Sequence, residues 1–414
     1  METNIPEGYQ QTDAGVIPDD WITKKLGDIG KFKNGINKAK EEFGFGYPFV
    51  NLLDIFSGAS LSNKSSLGLV NSTQQERSEY DLKKGDVLFV RSSVKPEGVG
   101  LTSVITEDLK DSVYSGFLIR FRDFDLLNLG YKEYCFYEEG FRKRLIDNST
   151  VSANTNINQD ALKSLVVAFP STIEEQKAIA QALSDADAAI AELDRLITKK
   201  QNIKQGAMQQ LLTGKKRLPS FSGEWEVKKL GEIGQVVTGN TPPTKDPKNY
   251  GDEFLFVSPA DLGNHKFIIN TEKKLSLKGF NLSRKFPKSS ILFTCIGSTI
   301  GKIGISTIEL TSNQQINAIF PNKSYSAHYL YYSLSYSAPI IKASASEQAV
   351  PLINKTDFES ILIILPSIAE QKAIAQILSD MDVEIEALEQ KRDKYKAIKQ
   401  GMMQELLTGR TRLV

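Results

Sequence analysis

The chain has 414 residues, with 51 Lys and Arg against 50 Asp and Glu, and 40% hydrophobic content. That balance excludes a disordered chain and a uniformly basic nucleic-acid coat, and Cys135 and Cys295 alone exclude a disulfide framework and point to a reducing cytoplasm. His265 and His328 are too few for a metal centre without carboxylate help, and no apolar run of about 18 residues is present to span a membrane.

Residues 1–20 are acidic, with no Lys, Arg or apolar run, so neither a signal nor a transit peptide is expected there. Trp21 to Gly30 reads WITKKLGDIG. Apolar runs at Val87–Val90 and Phe117–Phe121 predict short strands. A helix is expected near Tyr131 to Leu145, and Leu165–Phe169 is strand-like and stopped by Pro170. A long helical pattern follows. Ile179, Leu183, Ala186, Ile190, Leu193 and Ile197 recur at alternating intervals of four and three, a narrow seam suited to one partner helix. The pattern stops at Leu-Leu-Thr-Gly, where Gly214 suits a left-handed cap. Lys215, Lys216 and Arg217 suit a helix C-terminus.

The same order then recurs. Trp225 to Gly234 reads WEVKKLGEIG. Strands are predicted at Ile291–Phe293, Ile316–Phe320 and Ile361–Leu365, with a helix near Ala327 to Ser337 between the last two. After Pro366 comes a second seam of Ile374, Leu378, Met381, Ile385 and Leu388, closing at Gly409 with Arg410 and Arg412 behind it. Residues 175–218 and 370–413 align without gaps over 44 positions, 26 of them identical. Between these anchors the halves diverge almost completely. The fold class is therefore α+β, with an internal pseudo-two-fold repeat. Two globular α/β domains are separated by two long helices that form an antiparallel coiled coil. The boundaries are 1–169 for the first domain, 170–218 for the first helix, 219–365 for the second domain and 366–414 for the second helix. Gly206 and Gly401 interrupt the helices at equivalent places, either for close approach of another backbone or as a tolerated kink.

Domains that share a framework and differ in loops carry recognition in those loops. Seven Lys and Arg and no acid fall between Lys273 and Ile308, a candidate phosphate-binding stretch. From it, Lys274, Arg284, Lys285, Lys288, Ser298 and Lys302 are candidate DNA contacts. In the first half the candidates are Arg91, Ser92, Lys95, the group Arg142, Lys143 and Arg144, and Asn154 and Asn156. In the second half Asn313, Gln314 and Gln315 join them, since Asn and Gln can pair with adenine edges and Arg with guanine.

Catalytic signatures are missing. Gly297 to Lys302 has one spacer too few for a phosphate loop, and no G-x-G-x-x-G occurs. A nuclease-like D…E-x-K can be drawn through Asp160, Glu175 and Lys177, or Asp357, Glu370 and Lys372. Each E-x-K falls at a helix start, where Glu175 and Glu370 are explained as first-turn acids favoured by the helix dipole. No catalytic residue and no metal ligand set is assigned. The pattern is that of a binding protein.

Three motifs carry a resemblance over nearly the whole chain: W-x-x-x-K-L-G-[DE]-I-G opening each domain, P-S followed after three residues in the first copy and two in the second by E-Q-K-A-I-A-x-x-L-S-D ending it, and Q-G-x-M-Q-x-L-L-T-G-[KR]-x-R-L closing each helix. The layout resembles the DNA-specificity (S) subunit of type I restriction–modification systems. That resemblance implies two target recognition domains, each reading half of a two-part site in double-stranded DNA, with the helices as spacer. It implies two modification (methyltransferase) subunits that methylate adenine at N6, and restriction (translocase/nuclease) subunits. S-adenosylmethionine, ATP and Mg would be held by those partners and no cofactor by this chain. Because the two domains differ, the expected site is asymmetric and gapped, unlike the inverted repeat read by a symmetric dimer. The competing reading is a protein-interaction scaffold of two modules on a coiled-coil rod, without nucleic acid.

Overall fold

A computed structural model describes residues 5–56, 58–62, 66–345 and 350–413. The chain divides into two compact units, one of residues up to Asp194 with Lys391 onward, the other Arg195–Gln390.

The first unit is built on a five-stranded sheet of β1 (Gly30–Asn34), β2 (Ser60–Leu61), β3 (Val87–Val90), β4 (Thr102–Ile105) and β5 (Leu118–Asp123), in the order β1-β5-β3-β4-β2. Neighbours are antiparallel except β2, which runs parallel to β4. The central strand is buried on both faces, which is why it reads as an unbroken apolar run. Val87 and Phe89 pack with Phe121, Tyr131 and Phe136; Leu88 and Val90 pack with Ile105, Tyr114 and Leu118. The single helix expected over 131–145 is two, α1 (Leu129–Cys135) and α2 (Glu139–Asp147). Asn128 caps α1 through its side chain. Glu138 breaks the run because its carboxylate accepts from the N–H groups of Gly140 and Phe141, 2.6 Å each, starting a new helix.

The second unit repeats the plan with β6 (Val236–Thr238), β7 (Phe267–Ile268), β8 (Ile291–Thr294), β9 (Ile303–Ser306) and β10 (Ile316–Ile319), in the order β6-β10-β8-β9-β7. Its helix α3 (Ala327–Ala343) extends past the expected Ser337 and contains Pro339. The repeated opening and closing motifs are halves of one ladder. Ile22–Lys25 pairs with Val166–Phe169, and Glu226–Lys229 with Leu362–Leu365.

The first long helix is Ile173–Leu212 and the second Ile368–Leu406. Thr172 and Ser367 accept from the N–H groups of Glu175 and Glu370 at 3.3 Å each, an N-cap in both copies. Gly214 and Gly409 sit at φ +70°, the left-handed conformation that ends a helix cheaply only at glycine.

In the first unit, Glu175 pairs with Arg412, Asp187 with Lys399 and Asp194 with Arg392. In the second, Glu370 pairs with Arg217, Asp382 with Lys204 and Glu384 with Lys200. Partners advance along one helix as they retreat along the other, so the helices run antiparallel within each unit. The seam is not a helix–helix contact alone. Ile179 and Leu183 are fully buried in the same core as Leu26, Tyr131 and Leu162 of their own domain, with Leu406 and Leu407; Ile374 and Leu378 repeat this with Leu230, Tyr329 and Phe358. Farther along, Leu193, Ile197 and Ile385 are buried, while Ala186, Ile190, Met381 and Leu388 are half-buried. Among the described residues of this chain, a Cβ on Gly206 or Gly401 would meet nothing within 4 Å, so neither glycine serves close approach of a backbone within it.

Candidate nucleic-acid interface

In each unit three loops converge where the central strand ends. In the first they are the turn after β1, the turn before β5 and the segment after β3. Gly116 N–H donates to Ile36 O at 2.7 Å, joining the first two, and Arg91 joins the third to the turn before β5. Its N–H donates to Phe117 O at 2.8 Å, its carbonyl accepts from Ile157 N–H at 2.9 Å, and its guanidinium donates to Gly116 O at 3.3 Å. Ser92–Ser93 then forms the edge of a small sheet whose next strands are Thr155–Asn156 and Thr150–Val151.

This placement joins four of the first-half candidates. Ser92, Lys95 and Asn154 line one cleft of about 500 Å³ with Val94, Phe117 and Phe56. Asn156 lies opposite Ser92, and its amide donates to Asn154 O at 3.0 Å. Phe117 was expected inside a strand; it precedes β5 and is 57% exposed, while Val94 is 82% exposed. A polar rim around exposed apolar side chains can both hydrogen-bond and make methyl contacts with base edges.

The basic group on α2 is not one surface. Arg142 donates to the carbonyls of Glu97 and Val99 at 2.9 and 2.8 Å. Arg144 donates to Ala14 O and Val166 O at 3.3 Å each. Burial lowers the pKa of both guanidiniums. Only Lys143 of the three is exposed. Arg142 therefore braces the 94–99 segment that carries Lys95, a positioning role that a count of charges does not reveal.

The second unit has the corresponding tip. Strand pairing aligns Leu118 opposite Val90 with Ile316 opposite Thr294, so the turn 115–117 corresponds to 313–315 and the segment from Arg91 to that from Cys295. Asn313 and Gln315 hydrogen-bond each other at 3.0 Å. Gln314 accepts from the Thr241 hydroxyl at 2.7 Å, and Ser298 is exposed nearby on the segment after β8. Burial pushes the Cys295 thiol up to about 12, and the Asn317 amide donates to its sulfur at 3.2 Å.

Arg284 belongs to this tip. It donates to Thr238 O at 2.7 Å, and its N–H donates to Asn240 Oδ1 at 2.7 Å. Lys285 is held by Asn281 at 3.1 Å and lies over the Phe280 ring. Lys278 is paired with Asp246, so the acid-free stretch of sequence is not acid-free in space. Lys274 is on a strand of a separate four-stranded sheet, Lys288 is exposed before β8, and Lys302 packs beside Gly263. The structure does not gather Lys274 and Lys288 with the tip residues; Lys302 stands at the tip, its N–H donating to Thr299 O at 3.2 Å and its carbonyl accepting from Thr294 N–H at 2.8 Å. Thr241 and Asn240 join the site unforeseen; their only signal in the sequence was their place after a repeated strand.

Among the described residues no group of three or more His, Cys, Asp or Glu could hold a metal ion, and no helix is long and apolar enough to cross a membrane.

The family model described as "Type I restriction modification DNA specificity domain" matches residues 18–205 and 222–397. A putative type I restriction enzyme MjaX specificity subunit from Methanocaldococcus jannaschii is 27% identical over 98% of this chain and 97% of its own length. The type I restriction enzyme HindI specificity subunit from Haemophilus influenzae is 36% identical over 34% of this chain and 32% of its own. Among solved structures, the S subunit of a type I restriction–modification system from M. genitalium shares the fold at TM-score 0.56 and 17% identity, over 93% of this chain and 96% of that one. A chain from a study of assembly and conformational transition in the type I system matches at TM-score 0.63 and 16% identity, over 95% and 99%.

Proposed function

The chain belongs to the type I restriction modification DNA specificity family, and on that premise we propose that it is a non-catalytic sequence-reading subunit acting in the cytoplasm. Each tip reads one half of an asymmetric, gapped site in double-stranded DNA. Two modification subunits bind the chain and methylate adenine at N6, restriction subunits complete the nuclease, and S-adenosylmethionine, ATP and Mg are held by those partners.

One observation carries this reading. The two tips share a backbone frame and differ in side chains at corresponding positions of it. The first presents Val94, Lys95 and Phe117; the corresponding positions of the second are Ser298, Thr299 and Gln315. Equal frames with unequal readers give two halves of unequal sequence. Lys and Arg at the rims set position on phosphates, while the Asn, Gln, Ser and apolar side chains discriminate bases.

Tip variants test this. Sites would be selected from random duplexes with the assembled complex carrying Gln314→Ala with Gln315→Ala, or Phe117→Ser. Each variant should relax one half of the selected motif and leave the other intact, a bidentate base contact being worth about 1–3 kcal/mol of discrimination. Motifs unchanged in both halves would remove the tips from base reading.

A further inference from the structure

The internal repeat allows one unit to be used as a template for the other. In the second unit the Lys266 ammonium donates to the Tyr332 hydroxyl at 3.0 Å and to Ser379 Oγ at 2.7 Å. Tyr332 donates in turn to Asp382, which Lys204 also pairs. The first unit keeps the same frame. Tyr134 donates to Asp187 at 3.0 Å, and Lys399 pairs with Asp187 at 2.6 Å. Ser184 stands where Ser379 stands in the repeat, beside the Tyr134 hydroxyl.

The lysine itself is what the first unit lacks. The Lys266 carbonyl accepts from Ile305 N–H at 2.8 Å, and the same bond in the first unit joins the Ala59 carbonyl to Val104 N–H at 2.9 Å. Ala59 thus occupies the Lys266 position. Beside Ala59 lies a cleft of about 650 Å³, lined also by Tyr134, Ser184 and Asp187, with Glu133 where the second unit has Tyr331.

Charge makes the difference sharper. The second unit sets Lys266 and Lys204 around Asp382. Among the described residues, the first sets Glu133 and Asp187 against Lys399 alone. Glu133 and Asp187 line the same cleft, and a cation set between two carboxylates relieves their mutual repulsion; burial, and then Asp187, raise the pKa of the Glu133 carboxyl. A hard divalent ion would meet the Lys399 ammonium within the same site. An ammonium on a flexible stem meets hydroxyls and carboxylates as Lys266 does, and its methylenes can lie along Ala188, Ala191 and Met403.

We propose that this cleft receives a lysine side chain of a modification subunit, which takes in the first unit the place that Lys266 fills in the second. The inference rests on the assembly reading given above. One partner lysine is then bound at the first unit, while the second unit supplies its own, so the two docking events are chemically unequal.

The test uses this chain co-purified with its modification subunit. Zero-length carbodiimide cross-linking, read by peptide mass spectrometry, should join Glu133 to a lysine of that subunit, and Glu133→Gln should abolish the link. Ala59→Lys places the chain's own ammonium in the cleft. It should weaken one of the two modification-subunit binding steps at least tenfold, while Ala59→Ser leaves both unchanged; melting curves confirm that each variant folds. Wild-type affinity at both steps for Ala59→Lys, with Glu133 unlinked in an intact complex, would overturn the inference and leave the assembly reading standing. Failure of the unaltered chain to bind any modification subunit would overturn the assembly reading, and this inference with it.

Discussion

Arg412→Ala tests how the two motifs of the repeat hold a unit together. Arg412 reaches Glu175 through two bonds of 2.5 and 2.8 Å and Asp20 through two of 2.8 Å. The Glu175 side chain is 2% exposed and that of Arg412 26%. Removing one partner of a buried pair costs about 3–5 kcal/mol, because the other charge stays buried. Arg412 is partly exposed, so water can enter behind it, and the lower end of that range applies. In a unit of roughly 200 residues, ~3 kcal/mol lowers Tm by about 6–12 °C. Thermal melts by circular dichroism read this, with Glu175→Gln and the double variant closing a cycle. The double variant should recover part of the loss. The acid limb should change as well. The Arg412 hydrogen bond holds the Asp20 carboxyl below its ordinary 3.8; that contribution is present above pH 3.8 and lost as pH falls through the lower folded value. The deficit of Arg412→Ala should therefore narrow in strong acid. A Tm shift below about 2 °C, against the 2–4 °C expected per kcal/mol, or strict additivity in the cycle, would refute the buried-pair argument.

Gly206→Ala and Gly401→Ala should each stabilise the free chain by about 1 kcal/mol, the helix-propensity difference, since nothing lies within 4 Å of the added methyl; a destabilised variant in chemical denaturation would contradict the open surroundings described. Burial lowers Lys266 from an ordinary 10.5 to about 8. Its contribution to stability is present above pH 10.5 and lost as pH falls through about 8, a rise with pH that Lys266→Met should flatten in melts between pH 7 and 10.5. Phe117 and Val94 can meet thymine methyls, so replacing thymine by uracil in the half-site read by the first tip should weaken binding roughly fourfold per methyl lost, from ~0.8 kcal/mol each; a loss confined to the other half would reverse the assignment of tips.

The repeat was legible because both copies of each motif survive, and it carried the domain order, the two long helices and their caps. The central strands were legible for a related reason, since β3 and β8 are buried on both faces and leave a continuous apolar signature. Partnerships were not. Glu175 and Glu370 read as first-turn acids, which they are, but their arginines lie 237 and 153 positions away, and no local period reports such a distance. Arg142 and Arg144 looked like phosphate ligands because sequence shows charge and hides the carbonyls that cap it. The acid-free stretch failed in the same way, Asp246 meeting Lys278 from outside it. Tip residues are the hardest class to read. Asn240 and Thr241 are ordinary turn residues until the strand register sets them beside Arg284 and Gln314.

Selection from randomised duplex DNA, using the unaltered chain co-expressed with the products of its neighbouring genes, addresses the central claim most directly. The account predicts one enriched motif in two parts, unequal in sequence and separated by an unselected gap. A single continuous motif, a symmetric inverted repeat, or no enrichment with the assembled subunits verified by mass spectrometry would contradict it.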